Sequence, residues 1–107
     1  MPEIILEDKE IRSICDGIKQ LFDVEKLIVF SVKRSENDGS VTDFDLCAVA
    51  DTDNKNAWLK KAYLEIDSDI PFDIFLYTPA EWESLTKQTE SFASRIARKG
   101  CVVYGKA

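Results

Sequence analysis

Asp43-Phe44-Asp45-Leu46 opens an apolar, strand-like run over residues 43–50, and this pattern constrains the chain more than any other. Successive side chains on a strand point to opposite faces, so Asp43 and Asp45 share one face while Phe44 and Leu46 take the other. Asp73 stands in a second such run, Pro71-Phe72-Asp73-Ile74-Phe75. Like charges side by side on a half-buried sheet repel, and burying them costs free energy unless something pairs with them. A hard divalent cation, Mg²⁺ or Mn²⁺, is the natural partner for three carboxylates brought together from neighbouring strands. The plainer alternative is three surface aspartates at strand ends, bonded to backbone amides or water.

The surrounding periodicities set the order of elements. Residues 7–23 carry Ile11, Ile14, Cys15, Ile18, Leu21 and Phe22 at the spacing of one apolar helix face. Residues 26–32 are β-branched and aromatic, which predicts a buried strand. Asn37-Asp38-Gly39-Ser40 marks a turn in a polar stretch over 33–42. The strand at 43–50 is followed by Asp53-Asn54, a helix cap, and a helix to about residue 67 with Trp58, Ala62 and Ile66 on one face. Pro71 opens a third strand, 72–77. Thr78-Pro79-Ala80-Glu81 is a capping box with proline at the first helical position. A short helix over about 90–99 ends at Gly100, expected as a left-handed cap, and Cys101-Val102-Val103-Tyr104 makes a last strand. The order α-β-β-α-β-α-α-β predicts an α/β (α+β) domain over residues 1–107. It would be a small mixed sheet with helices packed on one face, the aspartates lying on the other at the strand ends.

Composition removes several classes. With 107 residues one domain is expected, and 45% hydrophobic with 32% charged residues is an ordinary globular balance. The apolar runs are far shorter than a membrane span and no signal stretch is present, so the cytoplasm is the expected compartment and no membrane partner is expected. A net charge of −6 argues against nonspecific nucleic-acid binding. There is no histidine, which excludes Ser-His-Asp triads, Cys-His pairs and histidine-ligated zinc. Cys15, Cys47 and Cys101 are far apart in sequence and lie among apolar residues, as buried free thiols do. Trp58, Trp82 and Tyr77 are read as core aromatics before base-stacking ones.

Ser31-Val32, the ten residues 33–42, Asp43-Phe44-Asp45 and then Asp73 in Phe72-Asp73-Ile74-Phe75-Leu76-Tyr77 have the spacing of a known family. The chain resembles the minimal nucleotidyltransferase domain of the DNA polymerase beta superfamily. That signature is Gly-Ser, ten residues and Asp-x-Asp on two successive strands, with a third Asp on a later strand. The ending Ile96-Ala97-Arg98-Lys99-Gly100-Cys101-Val102-Val103-Tyr104 is similar to how such domains close. The resemblance covers nearly the whole chain and implies the nucleotidyltransferase fold and its chemistry. An acceptor hydroxyl attacks the α-phosphate of ATP or another nucleoside triphosphate, and pyrophosphate leaves. Two Mg²⁺ ions roughly 4 Å apart stabilise the attacking and leaving oxygens. Asp43 and Asp45 would hold both metals; Asp73 would complete the one that activates the hydroxyl and take its proton. Ser31, Lys33 and Arg34 are the candidates for contact with the triphosphate, a solvated loop being the alternative for the two cations.

One departure bears on activity. Ser31-Val32 stands where the family has Gly-Ser, so close backbone approach and a hydroxyl donor are both altered. Gly39-Ser40 is too near Asp43 to replace it. Metal ligands kept beside a damaged phosphate grip imply weakened or absent catalysis. The resemblance therefore implies two functions. One is a metal-dependent nucleotidyltransferase. The other is a catalytically degenerate binding module, the antitoxin-like partner of a HEPN-type helical protein, since small stand-alone domains of this family are often antitoxins encoded beside such toxins and some modify them with AMP.

Overall fold

The apolar runs Leu27-Ile28-Val29-Phe30 and Leu46-Cys47-Ala48-Val49-Ala50 have no polar alternation, and strands of that kind are covered on both faces. The computed structural model, which describes residues 8–105, has that arrangement. Its elements are α1 (Lys9–Leu21), β1 (Val24–Arg34), β2 (Val41–Ala50), α2 (Lys55–Glu65), β3 (Phe72–Tyr77), α3 (Pro79–Thr86), α4 (Phe92–Lys99) and β4 (Cys101–Tyr104). The start expected for the first helix, residue 7, lies outside the described residues, as do both ends of the 1–107 domain.

The four strands form one mixed sheet in the order β3-β2-β1-β4. β1 pairs antiparallel with β2 and with β4, and β2 pairs parallel with β3. This is the small mixed α/β sheet expected. The helices, however, divide between its faces rather than gathering on one. Ile11, Ile14, Cys15 and Ile18 of α1 and Trp58 and Ala62 of α2 pack on Leu27, Val29, Phe44, Leu46, Ala48, Ile74 and Leu76. On the other face Ile96 of α4 and Trp82 of α3 pack on Ile28, Cys47, Val49, Tyr77 and Val102.

Local signals set most of the boundaries. Thr78 and Glu81 close the capping box reciprocally, Glu81 N–H donating to Thr78 Oγ1 at 3.2 Å and Thr78 N–H to Glu81 Oε1 at 2.9 Å. Asn54, not Asp53, caps α2, its Oδ1 accepting from Ala57 N–H at 3.0 Å. The hairpin is longer than expected. β1 runs to Arg34 and β2 starts at Val41, so Lys33 and Arg34 are strand residues rather than loop residues. Only residues 35–40 form the turn, closed by Ser35 N–H on Ser40 carbonyl at 2.8 Å with Gly39 at φ 75°.

Gly100 is also corrected. Its φ of −78° is extended, not left-handed. Glycine is needed there for space: a Cβ would overlap Ile28 Cγ2 and stand 2.7 Å from the Ile96 carbonyl oxygen. Cys15 and Cys47 are buried free thiols, both pushed up to about 12 chiefly by desolvation, whereas Cys101 is half-buried. Trp58 is core, stacked on Phe22 with ring centroids 4.0 Å apart.

Candidate functional site

Pairing register brings the three carboxylates to one face. In the parallel β2–β3 pair Asp45 stands opposite Asp73, and Phe44, opposite Phe72, turns to the α1–α2 core. Asp43 precedes Asp45 by two residues and so shares its face. This is the face that α3 and α4 cover further along the strands, over Cys47 and Val49. The aspartates occupy its uncovered end. Asp43 and Asp45 are half-buried and Asp73 is exposed.

β1 supplies the opposite side of the row. Ser31 pairs with Asp45 and Lys33 with Asp43. Residues directly opposite in an antiparallel pair point the same way, so the Ser31 hydroxyl and the Lys33 ammonium lie on the carboxylate face. Val32, opposite Phe44, packs against the α1–α2 core. Arg34 does not join them. It lies beyond a register shift between Lys33 and Arg34, opposite Val41. Its guanidinium pairs with Asp8 at 2.7 Å and donates to the Gly39 carbonyl at 3.1 Å. Contact between Arg34 and a ligand on the carboxylate face would require that pair to break.

The electrostatics follow from this placement. The Asp45 carboxyl is raised above its ordinary value by desolvation first, then by Asp73, then by Asp43; Lys33 pulls it back down. Gly39 and Ser40 play no part. Asp38 Oδ1 accepts from Ser40 N–H at 2.9 Å and Ser40 Oγ at 2.7 Å, which makes the segment a closed turn and holds the Asp38 carboxyl below its usual range.

Two features of the site lie outside the sequence reading. Tyr63 of α2 reaches the outer edge of β3, where its Oη accepts from Ile74 N–H at 2.7 Å, next to Asp73. The tyrosine thereby covers an unpaired edge donor. The second feature is a trio of aromatic rings. Phe30 meets Phe75 at 5.4 Å between centroids, and Phe92, the first residue of α4, meets Phe30 at 5.6 Å and Phe75 at 5.4 Å. Strand parity carried a signal for Phe75, two residues after Asp73 on the same face. Nothing in the sequence marked Phe92.

The donor set, carboxylates with no imidazole or thiolate among them, has the chemistry a hard cation takes. Its side chains do not converge on a point: among the described residues no group of three or more His, Cys, Asp or Glu is arranged to hold a metal ion. Mutual repulsion favours rotamers that spread such carboxylates apart. Two grooves lie elsewhere, one of about 580 Å³ lined by Arg12, Asp16, Gln20 and Glu65 and one of about 590 Å³ lined by Lys26, Trp82 and Tyr104. Among the described residues no helix is long and apolar enough to cross a membrane. No protein-family model, curated protein or solved structure matches the chain.

Proposed function

We propose that the chain is a nucleotidyltransferase-like domain that transfers a nucleoside monophosphate from ATP or another nucleoside triphosphate to a hydroxyl acceptor. One observation carries the reading: the strand register puts Asp43, Asp45 and Asp73 on one open face, with Ser31 and Lys33 directly across from Asp45 and Asp43. Three carboxylates with a hydroxyl and an ammonium across one strand suit a metal-bound triphosphate better than they suit an isolated anion or a neutral ligand.

Asp43, Asp45 and Asp73 are the residues that would hold Mg²⁺ or Mn²⁺. Such a cation neutralises phosphate oxygens and lowers the pKa of a bound hydroxyl. The remaining roles belong to the chain. Lys33 attracts the triphosphate and offsets the acidic row. Ser31 donates a hydrogen bond to a phosphate oxygen. Asp73, the most exposed of the three, takes the proton of the acceptor hydroxyl as its oxygen attacks the α-phosphorus and pyrophosphate departs. Because Arg34 is paired with Asp8, Ser31 and Lys33 are the whole of this proposed phosphate grip, and transfer is expected to be slow.

The test is thermal unfolding in millimolar Mn²⁺. A ligand bound only to the folded state raises the melting temperature. We expect a rise in the wild type that disappears in Asp43→Asn/Asp45→Asn. No rise in the wild type, or an equal rise in the double variant, defeats the reading.

A second reading, the degenerate module held by a HEPN-type helical partner, is favoured by Val32. The resemblance calls for a hydroxyl at that position, and the side chain there is turned into the core. Intact-mass measurement of AMP transfer separates the two readings. Transfer by the wild type supports the enzyme. Its absence, together with a stoichiometric helical partner in a pull-down, supports the module.

A further inference from the structure

The Phe30–Phe75–Phe92 trio stands where α4 meets the carboxylate end of the sheet. Phe75 is 37% and Phe92 42% exposed, an exposure that Tyr63 and Tyr104 share elsewhere on the surface. Single exposed apolar side chains need no explanation. Phe75 and Phe92 touch each other, share a third ring, and border the acidic row. Along β2 the face reads Asp43, Asp45, Cys47, Val49, and Cys47 pairs with Phe75 on β3. Phe30 and Phe75 come from the strands on either side of β2, so their contact at 5.4 Å spans it and roofs Cys47, which has no exposed surface. Phe92 tops both rings. The trio is therefore a wall across the face, one strand step of about 7 Å beyond the Asp45–Asp73 row.

From this the geometry points to a nucleobase platform: the exposed rings of Phe75 and Phe92 stack the aromatic base of the nucleoside triphosphate whose phosphates a divalent cation would hold beside Asp43, Asp45 and Asp73. The inference rests on the nucleotidyltransferase reading and adds to it what holds the base end of the substrate. A ligand with a flat apolar end and a metal-carrying polyanionic end joined by one sugar matches a surface with an aromatic wall and a row of carboxylates one step apart. Stacking on a ring face is tolerant of base identity, since every base has a π-face. The platform thus selects for the presence of a base and not for one base over another.

The experiment compares two probes on the full chain by calorimetry in Mn²⁺: ATP, and inorganic tripolyphosphate, which has the phosphates without the base. The variants are Phe75→Leu and Phe92→Leu, which keep apolar bulk and remove the ring face; thermal melts confirm that each is folded. Stacking one base on an aromatic side chain is worth about tenfold or more in affinity. We expect wild type to bind ATP about tenfold or more tighter than tripolyphosphate, and Phe92→Leu to lose most of that preference with its tripolyphosphate affinity unchanged. Equal affinity of the wild type for the two probes overturns the platform and leaves the nucleotidyltransferase reading standing; a partner protein on the aromatic wall would give that result. A preference for ATP that survives in both leucine variants also overturns it. Binding of neither probe overturns both inferences together.

Discussion

Replacing Asp45 by asparagine should stabilise the protein in metal-free buffer. The Asp45 carboxyl is raised by burial and by Asp73 and Asp43, with Lys33 opposing. A carboxyl whose folded-state pKa is raised binds its proton more tightly in the folded state, so its ionised form costs stability at every pH above that value. Neighbouring strands are about 4.8 Å apart, which puts the Asp45 and Asp73 charges roughly 6 Å from each other. Coulomb's law then gives about 0.7 kcal/mol at the dielectric constant of water and about 2.8 kcal/mol at an effective value near 20. Asp45 is half-buried and Asp73 exposed, so the water-like limit dominates, and Lys33 returns part of the rest. The net gain for Asp45→Asn is about 1 kcal/mol, or roughly 4–8 °C in melting temperature for a domain of this size. Three signatures belong to this mechanism and are read in one set of thermal melts. The gain is present at pH 7. It fades as pH falls through the carboxylate range, where the wild type becomes protonated. It shrinks in 1 M NaCl, where the screening length is about 3 Å. A loss of more than about 2 kcal/mol would refute the argument, because it would mean that Asp45 holds the fold through hydrogen bonds.

Three further outcomes follow from the packing. Gly100→Ala puts a Cβ into Ile28 and beside the Ile96 carbonyl, and should cost about 2 kcal/mol or more in urea unfolding; a neutral result would mean that the α4–β4 corner relaxes freely. Ser31→Ala should leave stability within about 0.5 kcal/mol and, on the proposed function, weaken Mn²⁺–ATP binding in calorimetry, whereas unchanged binding would remove Ser31 from the proposed phosphate grip. Val32→Ser exposes a hydroxyl to the α1–α2 core and should lose about 1–2 kcal/mol in urea unfolding without any gain in ATP affinity; a gain would show that residue 32 does reach the ligand.

The order of elements was legible because each segment had one dominant period, and the face shared by Asp43 and Asp45 was legible because strand parity leaves no choice. The division of helices between the two faces had a signal that periodicity alone passed over. Leu27 to Phe30 and Leu46 to Ala50 are apolar without alternation, and such runs require cover above and below. The ladder bounds were not legible for a different reason. Lys33, Arg34 and Thr42 are polar because that part of the hairpin is exposed, not because it is a loop. Arg34's commitment to Asp8 was out of reach, since a contact across 26 residues leaves no local trace. Phe92 was hidden in the same way: a phenylalanine at the start of a short helix reads as core until the helix is docked on a sheet.

The point where the chain departs most from local rules is also where its candidate site is made. Val29 pairs with Leu46 and Ser31 with Asp45, so Phe30 is an extra residue, a bulge in β1. Without the bulge the register from residue 30 onward would slip by one. Phe30 would then oppose Asp45, and Ser31 would oppose Phe44 and point into the α1–α2 core, because a one-residue slip exchanges the faces. With the bulge, Phe30 and Ser31 both serve the carboxylate face, one as part of the aromatic wall and the other as a hydroxyl opposite Asp45. Val32 then resumes the core pattern. The inserted residue therefore adds Ser31 to a face that Phe30 would share in either register. It also accounts for a valine at the second position of the Ser31-Val32 pair, where the α1–α2 core demands an apolar side chain and a hydroxyl would reach nothing on the other side of the sheet.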